Sequence, residues 1–215
     1  MRRQSLDLIR CPRCRAGSLV PDALTPDDAL AFGPARCIGC GALYPVNDGL
    51  LDLLGERRNS GPLQQAMEQP WLARLWERGV RGAIDAVLTR GRLSHEREYA
   101  AIRALLGTPG GPLLDVGCGA GLVLRKLSRE FPHLTIIGMD VSRPMLEEAM
   151  AQVREYAQAA DFVRAAAPEL PFNDASLGAI IAIGFVHFLE DVQGVLVLRG
   201  SHALLADRHP RPLAQ

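Results

Sequence analysis

The chain has 215 residues, 48% of them hydrophobic, enough for one substantial core and a small accessory module. Lys plus Arg is 24 and Asp plus Glu is 24, so the formal charge is zero. That excludes a global electrostatic pull toward nucleic acid or an anionic membrane and leaves only local patches open. The chain has no apolar stretch long enough to cross a bilayer, and its start, MRRQSLDLIR, lacks the apolar run of a signal peptide, so a soluble cytoplasmic protein is expected.

Three regions separate in chain order: 1–56, 57–108 and 109–215. The first is short-segmented and holds four of the five cysteines as two CxxC pairs, Cys11 with Cys14 and Cys37 with Cys40. Each pair can form a turn that aims two thiolates at one point, and four sulfurs suit tetrahedral zinc. Gly41, just after the second pair, fits a knuckle turn whose backbone N–H groups face sulfur. The competing readings are a rubredoxin-like iron site and two redox pairs. With no spare ligand position, the expected zinc is structural.

The second region begins at NSGP. Leu72, Leu75 and Trp76 share a helical spacing, and so do Tyr99, Ile102, Leu105 and Leu106. Two helices are expected, the second stopping at GTPGGP. In the third region PLLDVG, LTIIGMD, ADFVRA and LGAIIAIG read as strands. AGLVLRKLSREF, RPMLEEAMAQVREYAQ and DVQGVLVLRGSHALL read as helices. This alternation predicts an α/β fold, a Rossmann-like parallel sheet with right-handed crossovers, preceded by the zinc ribbon.

The stretch LLDVGCGAG, residues 113–121, ends a predicted strand and opens a predicted helix. Gly117, Gly119 and Gly121 let the backbone turn sharply and approach a ligand. The second strand ends in Asp140, where an acid can accept two hydrogen bonds from a ribose diol. Loop and acid together suit an adenosine ligand, either a dinucleotide or S-adenosylmethionine. Asp115, just ahead of the glycines, would repel a pyrophosphate but could meet a ligand ammonium. It therefore favours S-adenosylmethionine.

These stretches also carry family resemblances. CIGCGALYPVNDGLLDLL is similar to the small zinc-binding Trm112-like family on Tyr44, Pro45, Asp48, Gly49 and Leu50, and free-standing members of that family activate methyltransferases. LLDVGCGAGLVLRKL, GMDVSRPMLEEA and the LPF–D–S stretch ahead of the fourth strand resemble class I S-adenosylmethionine-dependent methyltransferases of type 11, over Leu113 to Asp191. The linker QPWLARLWERGVRGAID resembles that of a bacterial and plant group of uncharacterised methyltransferases fused to a zinc ribbon.

The class I resemblance implies a cofactor set of Asp115, Gly117, Cys118, Gly119, Gly121, Asp140, Val141, Met145, Ala166, Ala167 and Gly184. Gly117, Cys118 and Gly119 would lie against the methionyl part. Cys118 reads as packing rather than as a nucleophile, and Met145 as either an adenine contact or core. Ser142 is the better helix cap, which leaves Asp140 for the ribose. Ala166 stands where the family has an Asp that accepts from the adenine amino group, while the Ala167 N–H can still serve a ring nitrogen. His187 is the candidate base or substrate-orienting residue, with a structural contact as its alternative. Tyr99 and His95 could reach the cofactor, although helix packing is the plainer role.

Two departures stand out. Gly178 replaces the usual Asp at the start of the fourth strand, a local weakening. After the fourth strand a helix and then ADRHPRPLAQ are read, so the domain is expected to lack its last strands. The fourth strand would then be an apolar edge that a partner or a homodimer mate must cover. The expected function is methylation of a small-molecule acceptor. The alternatives are rRNA or tRNA methylation and a non-catalytic, degenerate methyltransferase that binds a partner.

Overall fold

A computed structural model of the chain describes residues 1–26, 28–55, 68–80, 82–83, 87, 90, 94–156, 158–167, 170–183 and 202–206. The ribbon region contributes α1 (Arg3–Leu6), β1 (Leu19–Pro21), β2 (Gly33–Cys37), β3 (Leu43–Asn47) and β4 (Leu50–Asp52). The linker contributes α2 (Pro70–Leu75), a π-type turn over Trp76–Val80, and α3 (His95–Leu106). Then follow β5 (Leu113–Val116), α4 (Leu122–Glu130), β6 (Ile136–Asp140), α5 (Arg143–Glu155), β7 (Asp161–Arg164), β8 (Ala179–Ile183) and β9 (His202–Ala206).

The described strands form one nine-stranded sheet in the order β1-β2-β3-β4-β7-β6-β5-β8-β9. β1 to β4 are antiparallel. At the β3–β4 hairpin Asp48 and Gly49 have φ of 54° and 85°, the left-handed pair that a tight two-residue hairpin needs. β4 then pairs in parallel with β7, placing Leu50 beside Phe162 and Asp52 beside Arg164. All further pairings are parallel. The ribbon is thus continuous with the α/β sheet.

The buried strands are near-continuous apolar runs because both sheet faces are covered. On one face Leu113, Ile136 and Ile181 pack with Leu124, Leu127 and Leu146 of α4 and α5. On the other, Leu114, Ile137, Val163 and Ile180 pack with Leu6, Ile9, Leu19 and Phe172. The amino-terminal module fills the layer that helices occupy in a doubly wound sheet. It is tied there by backbone as well: Arg10 N donates to Pro171 O at 3.1 Å and Asn173 N to Leu8 O at 2.9 Å. Asp161, 4% exposed, accepts from Arg2 N and Arg2 Nε, both at 2.8 Å, and from Ser5 Oγ at 2.5 Å.

The helices start where local chemistry sets them. Ser94 Oγ accepts from Arg97 N at 3.3 Å, with Glu96 and Glu98 in the first turn of α3. Ser142 Oγ accepts from Met145 N at 3.4 Å and Pro144 sits in the first turn of α5. The first linker helix is shorter than its pattern suggests. α2 ends at Leu75, and the following turn carries Gly79 at φ 125°.

The carboxyl-terminal expectation needs correction. Residues 202–206, the first four of which read from sequence as the end of a helix, form β9 and pair in parallel with β8 from Ala179↔His202 to Ile183↔Ala206. A fifth parallel strand is therefore present, and β8 is not the exposed edge that called for a partner or a homodimer mate. The apolar stretch around Leu204 fits either a helix or a buried strand by pattern, and Gly200 separates it from the segment before. Gly178 also acquires a reason. A Cβ there would lie 2.6 Å from Gly111 N, so where the β8 entry meets the GTPGGP loop position 178 has room only for glycine.

Candidate functional site

The glycine loop leaves the carboxyl end of β5. Gly117, Gly119 and Gly121 have φ of 69°, 53° and 80°, a region costly to residues with a Cβ. At Gly121 a Cβ would also meet Ala149 Cβ at 2.9 Å, so glycine lets α4 close onto α5. Gly117 N and Cys118 N both donate to Met139 O, at 2.8 and 3.1 Å, which locks the loop to the end of β6.

Asp140 closes the second side. Its Oδ2 accepts from Gly119 N at 2.9 Å and its Oδ1 from Ser142 N at 2.8 Å. Burial raises its pKa, and the N–H groups of Ser142, Gly119 and Val141 partly offset that. Ser142 makes the cap contact to Met145, so the Asp140 carboxylate is not spent on capping α5. Asp115 is 5% exposed at the end of β5. Cys118 is buried among Leu113, Leu124 and Phe162. Burial, followed by the charges of Asp140 and Asp115, pushes its thiol well above the usual range. An uncharged buried thiol is a packing group and a poor nucleophile.

Met145 is 4% exposed and packs with Ala73 and Ala120, against which Trp76 also rests. The linker helix α2 therefore lies over the glycine loop. Val141 follows Asp140, and its carbonyl accepts from Arg164 Nε at 3.0 Å. Ala166 and Ala167 follow β7, with Ala165 N donating to Asp140 O at 3.1 Å. Gly184 and His187 lie outside the described residues. Tyr99 donates to Glu130 Oε2 at 2.6 Å, beside Arg103 Nε to Oε1 at 2.5 Å. That contact fastens α3 to α4 and places Tyr99 in helix packing. His95 Nδ1 stands 3.9 Å from Glu98 Oε2 on its own helix.

Sequence reading missed Asp52, Arg143 and Arg164. Asp52, 3% exposed, accepts from Arg143 Nη2 and from Arg164 Nη1 at 3.1 Å, next to the loop that follows Asp140. The only hint in the sequence is an acid closing a short apolar run, LLD, as Asp140 closes another.

The second cluster is the ribbon's. The sulfurs of Cys11, Cys14, Cys37 and Cys40 all lie within 4.8 Å of one another. Cys11–Cys40 is 3.7 Å and Cys14–Cys37 is 3.6 Å, close to the ~3.8 Å edge of a tetrahedron with Zn–S of about 2.3 Å. Gly39 N and Cys40 N face Cys37 Sγ at 3.3 and 3.4 Å. A Cβ on Gly17 would fall 2.3 Å from Cys37 Sγ, so that position has no room for a side chain. Burial opposes ionisation of Cys11, but the Tyr44 hydroxyl at 3.1 Å and backbone N–H groups bring its thiol down to about 6. For Cys40 the Ala42 N–H favours the thiolate, yet desolvation and the neighbouring thiols hold it up at about 11. Four sulfurs this close favour a bound cation over four free thiols, and the donor set fits zinc.

Comparison with known proteins bears on the carboxyl-terminal half. Residues 113–208 match a family model described as "Methyltransferase domain". These residues resemble a class I methyltransferase domain. The domain resembles the demethylmenaquinone methyltransferase of Thermotoga maritima, 37% identical over 43% of this chain and 42% of that protein. An uncharacterised chloroplastic methyltransferase of Arabidopsis thaliana is 27% identical over 71% of this chain and 46% of its own length. That match is longer than the methyltransferase domain alone and reaches into the residues before it. A crystal structure of a candidate S-adenosylmethionine-dependent methyltransferase from Methanococcus maripaludis superposes with a TM-score of 0.50 at 19% identity, covering 69% of this chain and 64% of that one, and shares the fold. The chain spans less than half the length of the curated relatives it matches. No described helix is long and apolar enough to cross a membrane.

Proposed function

We propose that this protein transfers a methyl group from S-adenosylmethionine to a small-molecule acceptor, with one structural zinc ion held by Cys11, Cys14, Cys37 and Cys40. The observation that carries the reading is the Asp140 carboxylate, held by Gly119 N–H and Ser142 N–H beside the glycine loop, at the carboxyl ends of β5 and β6. Each carboxylate oxygen offers two acceptor positions; the Gly119 and Ser142 N–H groups take one on each and the Val141 N–H also bears on the group, so acceptor capacity for a ribose hydroxyl remains. Asp115 supplies the negative charge an ammonium would meet, and Gly117 and Gly119 allow close backbone approach. Val141 and Met145 would flank the adenine. With Ala166 in place of an acid, its amino group loses one side-chain acceptor, at a cost of about 1 kcal/mol where water substitutes. The Ala167 N–H would serve a ring nitrogen and Gly184 would lie near the cofactor's amino group.

When bound, this cofactor supplies an electrophilic methyl on a positive sulfonium. The chain's part is to hold donor and acceptor in line and exclude water. Where the acceptor must lose a proton, His187 is our candidate base. Relatives named for methylation of quinone precursors, including the C-methyltransferase of ubiquinone and menaquinone biosynthesis from Desulfotalea psychrophila at 32% identity, support a small-molecule acceptor, as does the neutral formal charge. The test is calorimetric titration of S-adenosylmethionine into zinc-loaded protein, with Asp140→Ala as control. Micromolar binding that Asp140→Ala weakens at least tenfold is expected, since two charge-assisted hydrogen bonds are removed. A folded, zinc-loaded protein without affinity for the cofactor would overturn the reading.

A further inference from the structure

Asp52 ends the ribbon's last strand, yet its contacts run into the methyltransferase domain. Its Oδ1 accepts from Leu54 N and Gly55 N, both at 3.0 Å. Its Oδ2 accepts from Arg143 and Arg164. Arg164, 9% exposed, also donates through Nε to Val141 O at 3.0 Å and through Nη1 to Gly55 O at 2.8 Å. Val141 is the residue after Asp140. Arg143 is the first residue of α5, whose cap Ser142 donates its N–H to Asp140 Oδ1. One carboxylate therefore fastens two guanidinium groups, and these hold the main chain on the far side of Asp140.

We infer that Asp52 is a positioning residue for the cofactor site: through Arg164 and Val141 it fixes where the Asp140 carboxylate stands relative to a ribose diol. The inference rests on the S-adenosylmethionine reading above. It gives the ribbon a part in cofactor selection beyond covering the sheet. If the carboxylate loses its charge, Arg164 keeps its burial but loses its counter-ion, and the Val141 carbonyl loses a donor held in one direction. The side chain of Asp140 would then sample positions in which its two oxygens no longer face both hydroxyls.

The measurement is calorimetry on full-length, zinc-loaded protein with two ligands, S-adenosylhomocysteine and its 2′-deoxy analogue. The wild type is expected to prefer the ribose form about tenfold, the effect of one hydrogen bond to a charged acceptor. In Asp52→Asn that preference should fall to about twofold or less, while affinity for the deoxy ligand moves by under about threefold. Arg164→Lys keeps a cation near Asp52 but removes the Nε contact to Val141, and should lower the preference likewise. It keeps the test decisive if Asp52→Asn does not fold. Equal weakening of both ligands in the variants would overturn the inference and leave Asp52 as a tie between strands. A wild type that binds both ligands equally also overturns it. A folded wild type that binds neither overturns the cofactor reading itself, and the inference with it.

Discussion

The two ends of the sheet are built on different physics. β5, β6 and β8 are buried on both faces and need only their apolar side chains. β1 to β3 are short, carry exposed residues such as Leu43 and Arg36, and converge on four sulfurs. The first end is held by burial over a large core, the second by a metal-ready cluster in a segment too thin to stabilise itself. They meet at β4, where a ribbon strand is hydrogen-bonded in register to β7. A module added at a sheet edge shares the cooperativity of that sheet, so the metal and the core should not melt apart.

The sharpest way to break that comparison is to remove the metal. Structural zinc contributes about 10–16 kcal/mol of apparent binding free energy at pH 7. Chelation should therefore lower the midpoint of a single calorimetric transition for the whole chain. Two separate transitions would mean that β4 and β7 are not coupled. Metal analysis should give one zinc per chain, lost in Cys37→Ser. Next in size is Phe172→Ala. Phe172 is fully buried where the ribbon packs on the sheet, and its loss should cost about 3–5 kcal/mol in urea unfolding.

A smaller effect is expected from Gly178→Asp, which restores the residue usual in the family. The Cβ would fall 2.6 Å from Gly111 N, so the change should destabilise by about 1–3 kcal/mol. An unchanged or raised midpoint would mean the GTPGGP loop yields. Smallest is Arg154→Ala. Arg154 pairs with Asp48 at 2.5 Å, but both side chains are more than half exposed. The loss should stay below about 1 kcal/mol and shrink further in salt.

The methyltransferase half was largely legible in the sequence because its signals are local. Apolar runs marked β5 to β8, Ser142 announced α5, and the glycine spacing announced a loop. The paired cysteines likewise announced their cluster. What stayed hidden depends on pairing across long separations. Nothing in LLD says that Leu50 will lie beside Phe162, and the Asp52–Arg164 contact joins residues 112 positions apart. β9 was hidden for another reason: HALLA is apolar and short, so periodicity alone cannot separate strand from helix. α2 ended early because Gly79 interrupts a pattern that otherwise continues.

The β4–β7 pairing also has a meaning in time. The ribosome finishes the two CxxC turns and Asp52 well before it makes Arg164, 112 residues later. At about 5–20 residues per second that interval is roughly 6–22 s. During it β4 has no parallel neighbour, and until Arg143 is made Asp52 has neither of its two arginines. Zinc capture can be complete before the partner strand exists, so the nascent ribbon would wait, already metallated, as a template edge onto which β7 is later laid.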